Sequence, residues 1–285
     1  MRIVAFGEII WDIYPDGRCI GGAPLNFAAH AAKLGAEALL LSAVGDDALG
    51  AAAREQLFRF GVDGSLVSTV PDAPTGQCRV TLDGQNKPHY HLLENTAYDA
   101  ISCDAIPDCD AFVFGTLIQR SRYNRRTLQQ LLENGHFGEV FCDLNIRPPY
   151  YDAESVERCL RYATILKVSR EELPAVTQLL YGASLDVEAA VERICTDYPN
   201  IRLCLVTLDC DGALVYESAT DKTYRQAAKP VKVVSTVGAG DSFGAAFLTT
   251  YLRTGDIDTS VQRAVEISSY VVAHKEAVPQ NEARM

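Results

Sequence analysis

Residues 235–247 read STVGAGDSFGAAF, and their types suggest chemistry on a phosphate. The strand-like VKVV precedes the stretch and the helical pattern DSFGAAFLTTYL continues it, which predicts a strand-to-helix turn at Gly238–Asp241. The first amides of a helix lack internal partners and point outward. Small residues at Gly238, Ala239 and Gly240 let an anion approach those amides, and the helix dipole adds positive potential. The stretch therefore predicts an anion hole suited to phosphate. Asp241 follows in the first turn, where the dipole is expected to keep it ionised. A carboxylate there can take the proton of an alcohol attacking the adjacent phosphorus. The competing reading makes Asp241 only an N-cap. Other signatures are missing from the sequence: there is no GxxxxGK[ST], no GxGxxG after the first strand and no GxSxG elbow.

The elements that must hold this turn alternate along the chain. RIVAFGEII, ALLLSAV, AFVFGTL, EVFCDLNI, TILKVS and LCLVTLD read as apolar strands. Between them PLNFAAHAAKLG, DALGAAAREQLFRFG, RRTLQQLLENG, SVERCLRYA and LDVEAAVERIC read as helices. Pro24 suits the start of the first helix, with Gly35 and Gly61 as stops. Continuous apolar strands alternating with helices predict an α/β fold, a mostly parallel sheet covered on both faces. TGQCRVTLDGQNKPHYHLLEN breaks the rhythm and reads as a hairpin turning at Asp83-Gly84. His89 and His91 alternate within it and share a face. The basic run RSRYNRR, Arg120 to Arg126, reads as a solvated helix start.

The 285 residues are 48 % hydrophobic and 22 % charged, with a net charge of -11. That balance suits a globular chain with a large core and argues against nucleic acid or anionic membrane as partner. Nine cysteines are scattered without CxxC or metal-ligand spacing, as expected of reduced thiols in a cytoplasmic protein. Glu8 and Asp12 interrupt the first apolar run, so it does not read as a signal peptide. No window reaches the ~20 apolar residues of a membrane span.

TVGAGDSFGAAF together with GGAPLNFAAHAAKLG resembles the two signatures of the ribokinase-like (PfkB-type) carbohydrate kinases. FGEIIWD, AVGDDALG, CDLNIRP, LKVSREEL and VTLDCDGA fall in the family's order, so the likeness spans essentially the whole chain. DLNIRP and LKVSREEL look most like the fructokinase branch. The resemblance implies one Rossmann-like α/β domain over residues 1–285, with a small β lid from segments near 13–20 and 73–96. It implies an ATP-dependent phosphotransferase with a sugar alcohol as acceptor, ATP and magnesium as cofactors, and a homodimer through the lid.

Residue by residue, the resemblance makes Asp12 an acceptor for sugar hydroxyls; it is read as ending the first strand, where ligands collect in open parallel sheets. Gly21 and Gly22 permit close backbone approach and lie against the sugar. Asn26 offers the donor and acceptor a polyol needs. Asp241 is the base, and Gly238, Ala239 and Gly240 form the hole. Arg147, in the branch's DxNxR pattern, can bind the transferring phosphate or a substrate oxygen. Glu172 ends the family's Asn-x-x-Glu element, which helps place magnesium through water. Here the element reads SREE, with Ser169 in the asparagine position, as in fructokinase-like members. Thr207, Gly212, Ser268 and His274 border the nucleotide.

Three positions depart from the family. Asp209 stands where glycine is usual. Ser235 replaces the aspartate that helps bind a monovalent cation, and Glu276 occupies a glycine position of the same site. Potassium activation is then weak or lost, or Glu276 supplies the missing carboxylate. Fructose is the first substrate expected. Ketodeoxygluconate, ribose, another sugar or a nucleoside remain alternatives, as does a catalytically weak sugar-binding regulator.

Overall fold

The computed structural model describes residues 1–15, 17–82 and 88–280. The chain enters as two strands where the sequence reads one. RIVAFGEII divides into β1 (Arg2–Phe6) and the start of β2 (Ile10–Tyr14), which join different sheets. Asp12 thus lies inside β2 rather than at the end of the first strand. Ile9, Ile10 and Trp11 beyond Gly7-Glu8 are also buried, so renewed hydropathy does not by itself mark a second strand.

Next come β3 (Gly17–Gly21), α1 (Ala23–Lys33), β4 (Glu37–Gly45), α2 (Ala48–Phe60), β5 (Val67–Val70), β6 (Gly76–Leu82) and β7 (Pro88–Leu92). The chain continues with β8 (Cys109–Gly115), α3 (Arg122–Asn134), β9 (Phe137–Asp143), α4 (Ala153–Tyr162), β10 (Ile165–Ser169) and α5 (Leu173–Tyr181). It finishes with α6 (Val187–Asp197), β11 (Leu203–Thr207), β12 (Ala213–Glu217), β13 (Lys222–Gln226), α7 (Ala239–Thr254) and α8 (Ile257–Val272).

Nine strands form the main sheet in the order β13-β12-β11-β10-β9-β8-β1-β4-β5. Only β12 pairs antiparallel, with β11 and β13; the other pairs are parallel. Alternate residues feed two cores. Ile3, Ala5 and Phe141 face α1, α2, α7 and α8, whereas Val4, Phe6 and Phe112 face α3, α4, α5 and α6. Burial on both faces is why these strands read as continuous apolar runs.

The second sheet has the order β3-β2-β6-β7. β6 and β7 are the two arms of the hairpin seen in the sequence, antiparallel with Arg79 opposite His91. Their Asp83-Gly84 turn, and the side chain of His89, lie outside the described residues. β2 and β6 run parallel and place Asp12 opposite Cys78. All nine cysteines are free. No helix among the described residues is long and apolar enough to cross a membrane.

Phe112 anchors the α3–α6 face, with ring centroids 4.9 Å from Phe137, 6.0 Å from Phe114 and 6.3 Å from Phe6. Truncating a fully buried phenylalanine loses transfer energy and leaves a cavity. Phe112→Ala is expected to lower unfolding stability by about 3–5 kcal/mol in urea titrations.

Candidate active site

The site begins at the amino end of α7. Gly238 is its N-cap, with φ 81, and no side chain caps the helix. A Cβ at this position would also stand 2.7 Å from the Ala277 carbonyl oxygen, so only glycine fits both backbone and neighbour. Asp241 is the third residue of the helix, which removes the N-cap reading. The preceding VKVV is not a strand. It finds no sheet partner, Val231, Val233 and Val234 are exposed, and the amides of Val234 and Ser235 both donate to Val272 O (2.8 and 3.2 Å). The anion hole is therefore a loop-to-helix turn.

Asp241 is held by α1. Asn26 Nδ2 donates to Asp241 Oδ2 at 2.8 Å. Burial pushes the Asp241 carboxyl above its usual range, opposed by the Asn26 hydrogen bond and the charges of Lys167, His30 and Arg147. Desolvation thus works against the helix dipole, which favours the ionised form. A raised carboxylate is a stronger base, which suits proton abstraction. Asn26 Oδ1 is buried and has no protein partner among the described residues, so it remains as an acceptor for a hydroxyl. Farther along the same face of α1, His30 Nε2 lies 2.8 Å from Ala277 O, and Lys33 donates to Pro279 O. One helix thus holds both the carboxylate and the loop behind the hole.

Beneath the hole lies a buried ion pair. Lys167 is 4 % exposed and its Nζ donates to Asp143 Oδ2 at 2.8 Å. That ammonium would stand 3.1 Å from a Cβ placed on Gly240, directly under the first turn of α7. Burial raises Asp143 to about 6 even with Lys167 beside it. Asp143 Oδ1 is buried without a hydrogen bond among the described residues. Asp143, Asn145, Asp241, Glu8 and Thr116 line one cavity.

Glu172 joins two loops: its carboxylate accepts from the amides of Ile146 (2.6 Å) and Ser169 (2.7 Å). The Glu172 amide donates to Ser169 Oγ at 3.3 Å, so the serine helps close the turn. Among the described residues no three or more His, Cys, Asp or Glu side chains group to enclose a metal. Glu172 and the open oxygen of Asp143 suit an ion held mainly by phosphate and water.

The acceptor-side residues lie on the second sheet and its junction. Burial raises Asp12 to about 6, opposed by the Cys78 thiol hydrogen bond and the charge of Arg147. Gly21 stands against it, a Cβ there falling 3.7 Å from Asp12 Oδ2. Gly22 caps α1. Arg147 is exposed, yet its charge reaches Asp12, Glu8 and Asp241. Thr207, Gly212, Ser268 and His274 do not line the cavity that holds Asp241. Thr207 ends β11 and Gly212 closes the turn after it. Ser268 Oγ donates to Val265 O, and His274 packs on Tyr270 with centroids 4.2 Å apart. Ser235 Oγ accepts from the Val237 amide at 3.2 Å, while Glu276 is exposed and makes no hydrogen bond to Ser235 among the described residues.

Sequence reading missed Lys167, His30 and Glu8. A lysine inside the apolar TILKVS was the available signal, since a buried ammonium requires a partner. It also misjudged Arg120, which is not solvated. The Arg120 side chain is only 7 % exposed, pairs with both Asp99 oxygens at 2.7 Å and stacks on Tyr98 at 4.6 Å.

A mostly parallel sheet leading to an uncapped helix amino terminus, with a half-buried carboxylate held by an amide in its first turn, suits phosphoryl transfer to an alcohol. The pattern of the pfkB family carbohydrate kinases matches residues 17–284, and the chain belongs to that family. It is thus an ATP-dependent carbohydrate kinase of the ribokinase-like fold. The fructokinase of Salmonella typhimurium is 27 % identical over 272 residues, covering 89 % of this chain and 85 % of its own. Probable fructokinase-5 of Arabidopsis thaliana is 28 % identical over 280 residues, covering 90 % and 84 %. Among solved structures, fructokinase from Vibrio cholerae O395 in its fructose, ADP and calcium ion bound form superposes with a TM-score of 0.83 at 25 % identity, covering 97 % of this chain and 94 % of that one.

Removing Lys167 leaves Asp143 buried and unpaired. Lys167→Met is expected to cost about 3–5 kcal/mol in unfolding titrations near pH 8. The deficit should shrink near pH 5, below the value of about 6 at which Asp143 takes a proton and loses its charge. Adding Asp143→Asn should restore much of the lost stability.

Proposed function

We propose that the protein transfers the γ-phosphoryl group of ATP to a primary hydroxyl of a small sugar, with fructose as the first candidate. The observation that carries this reading is Asp241 bound to Asn26 at the mouth of an uncapped helix N-terminus. In the proposed step Asp241 takes the hydroxyl proton as the sugar oxygen bonds to phosphorus. The bond from phosphorus to the bridging oxygen breaks, and ADP leaves. Amides of Gly238, Ala239, Gly240 and Asp241 meet the charge on the transferring group, and Arg147 assists.

Magnesium, when bound, neutralises phosphate charge; Glu172 and Asp143 are the residues to hold it through water. Asp12, Gly21, Gly22 and Asn26 hold the sugar. Thr207, Gly212, Ser268 and His274 border the nucleotide. The β3-β2-β6-β7 sheet serves as lid on a single kinase domain, excluding the water that would compete as acceptor. A second copy pairing through that lid, and a cytoplasmic setting consistent with the free thiols, complete the proposal.

Fructose is favoured by the names of the relatives. Ketodeoxygluconate, ribose, another sugar or a nucleoside are the competitors. The aminoimidazole riboside kinase of Salmonella enterica shares the fold, with a TM-score of 0.82 at 24 % identity. A sugar-by-nucleotide panel decides. Turnover with fructose and ATP is expected. Sugar binding without turnover on any acceptor would favour a regulator instead.

Asp241→Asn should keep sugar binding and lose about 10²–10⁴-fold in kcat, the usual contribution of a general base. A near-normal rate would end the assignment. Ser235 has no carboxylate, and Glu276 is exposed without a hydrogen bond to Ser235 among the described residues, which favours loss of the cation site over replacement by Glu276. Exchanging potassium for a large inert cation is therefore expected to leave the rate unchanged; strong potassium activation would refute this.

A further inference from the structure

We propose that Glu8 is a positioning residue for the base: its carboxylate caps the amino end of α1 and, through Asn26, sets the orientation and charge environment of Asp241. The inference rests on the kinase reading above and adds a residue to it.

Glu8 lies in the break between β1 and β2 and is 4 % exposed. A carboxylate is almost never buried without an assigned partner. Its partner is the helix. The N-cap of α1 is Gly22, which has no side chain to offer, and the first turn contains no acid. The Ala23 amide donates to Glu8 Oε1 at 3.1 Å instead. Contact is tight: Gly22 has φ 112, and a Cβ there would lie 2.3 Å from the Glu8 carbonyl oxygen and 3.5 Å from its Cγ. A cap from a distant residue does for α1 what Ser, Asp or Asn does locally elsewhere.

The helix held this way carries the residue that holds the base. The Asn26 amide donates to Gly22 O at 2.9 Å, and its side chain donates to Asp241. The path from Glu8 to Asp241 therefore crosses one turn of α1. A direct electrostatic path runs beside it, since Glu8 and Asp241 line the same cavity. The charged and titratable groups facing Glu8 are Asp241 from α7, Arg147 from the loop after β9 and Tyr98 from the 3-10 turn 97–100. Asp143 lines the shared cavity as well.

Burial pushes Glu8 up to about 7; the amides of Ala23 and of Glu8 itself and the charge of Arg147 oppose the shift, and Asp241 adds to it. Ionised, Glu8 repels the charge on Asp241 and makes it a stronger base. Protonated, it withdraws that help. Glutamine keeps the size and the acceptor oxygen but never carries the charge.

The test uses Glu8→Gln and Glu8→Ala in the full chain. The wild type should lose kcat as Glu8 takes a proton around pH 7, and Glu8→Gln, which cannot titrate, should lack that limb. Its KM for sugar should stay near wild type. Glu8→Ala should lower kcat further, with glutamine rescuing most of that loss. A second readout needs no turnover. The folded value of about 7 lies above the ordinary 4.5, so the folded state keeps a proton that the unfolded chain releases between them. Wild-type stability must then fall, relative to Glu8→Gln, as pH rises through that window. Parallel melting curves in pH and an unmoved kcat limb would overturn the inference. A wild type inactive on every sugar overturns the kinase reading, and the base with it. An active wild type whose limb ignores Glu8→Gln overturns this inference alone.

Discussion

The contact between Asn26 and Asp241 joins residues 215 positions apart, and the fold is arranged to make it at 2.8 Å. A buried carboxylate without a donor would be displaced or protonated. The donor comes from α1, because the α7 residues three and four positions beyond Asp241 are Gly244 and Ala245, which carry no polar side chain. Both helices cover the same face of the main sheet, and Phe27 of α1 and Phe141 of β9 meet at 5.3 Å between centroids. Apolar packing on that face fixes the spacing, and the amide fixes the carboxylate. The same helix then reaches past Asp241 to the loop behind Gly238 through His30 and Lys33. Displacing α1 would disturb base and anion hole together.

Charge around this contact is unbalanced in a useful direction. Glu8, Asp143 and Asp241 share one cavity, and burial raises all three. Lys167 answers Asp143, and the exposed Arg147 lends its field to the others. Each carboxylate repels its neighbours, so the set holds protons more tightly than any member would alone. A base in such company accepts a proton readily. Phosphate arriving there must be met by amides and cations, which the start of α7, Lys167 and Arg147 provide.

Much of this was legible where it was local. Gly238 to Asp241 fit in one turn, so residue types alone marked the start of α7. The hairpin followed from alternation, and the sheet from unbroken apolar strands. What failed was long-range. The β1–β2 break hides because Ile10 and Trp11 are as buried as Ile3 and Val4. VKVV alternates like a strand but lies where the sheet has already ended at β13. Arg120 looked solvated within a basic run, yet Asp99 and Tyr98 enclose it from another part of the chain. α5 went unread although Leu173, Val176 and Thr177 recur at helical spacing and are buried, and Pro174 suits its first turn. Local chemistry survives translation into sequence; partners brought by the topology do not.

The turn after β11 shows the same division between shape and charge. Asp209 stands where the resemblance leads one to expect glycine, and its φ of 51 lies in the region that glycine favours. Aspartate is among the few residues that tolerate that region, so the backbone course is kept. Its charge is the novelty, and the surroundings answer it. Arg170 pairs with Asp211 at 2.6 Å, lies 3.9 Å from Asp209 and donates to Leu208 O. A hydrogen bond to Asp209 raises Glu171, as expected where two carboxyl groups share a proton. The turn thus answers its extra acid with a local cation, Arg170.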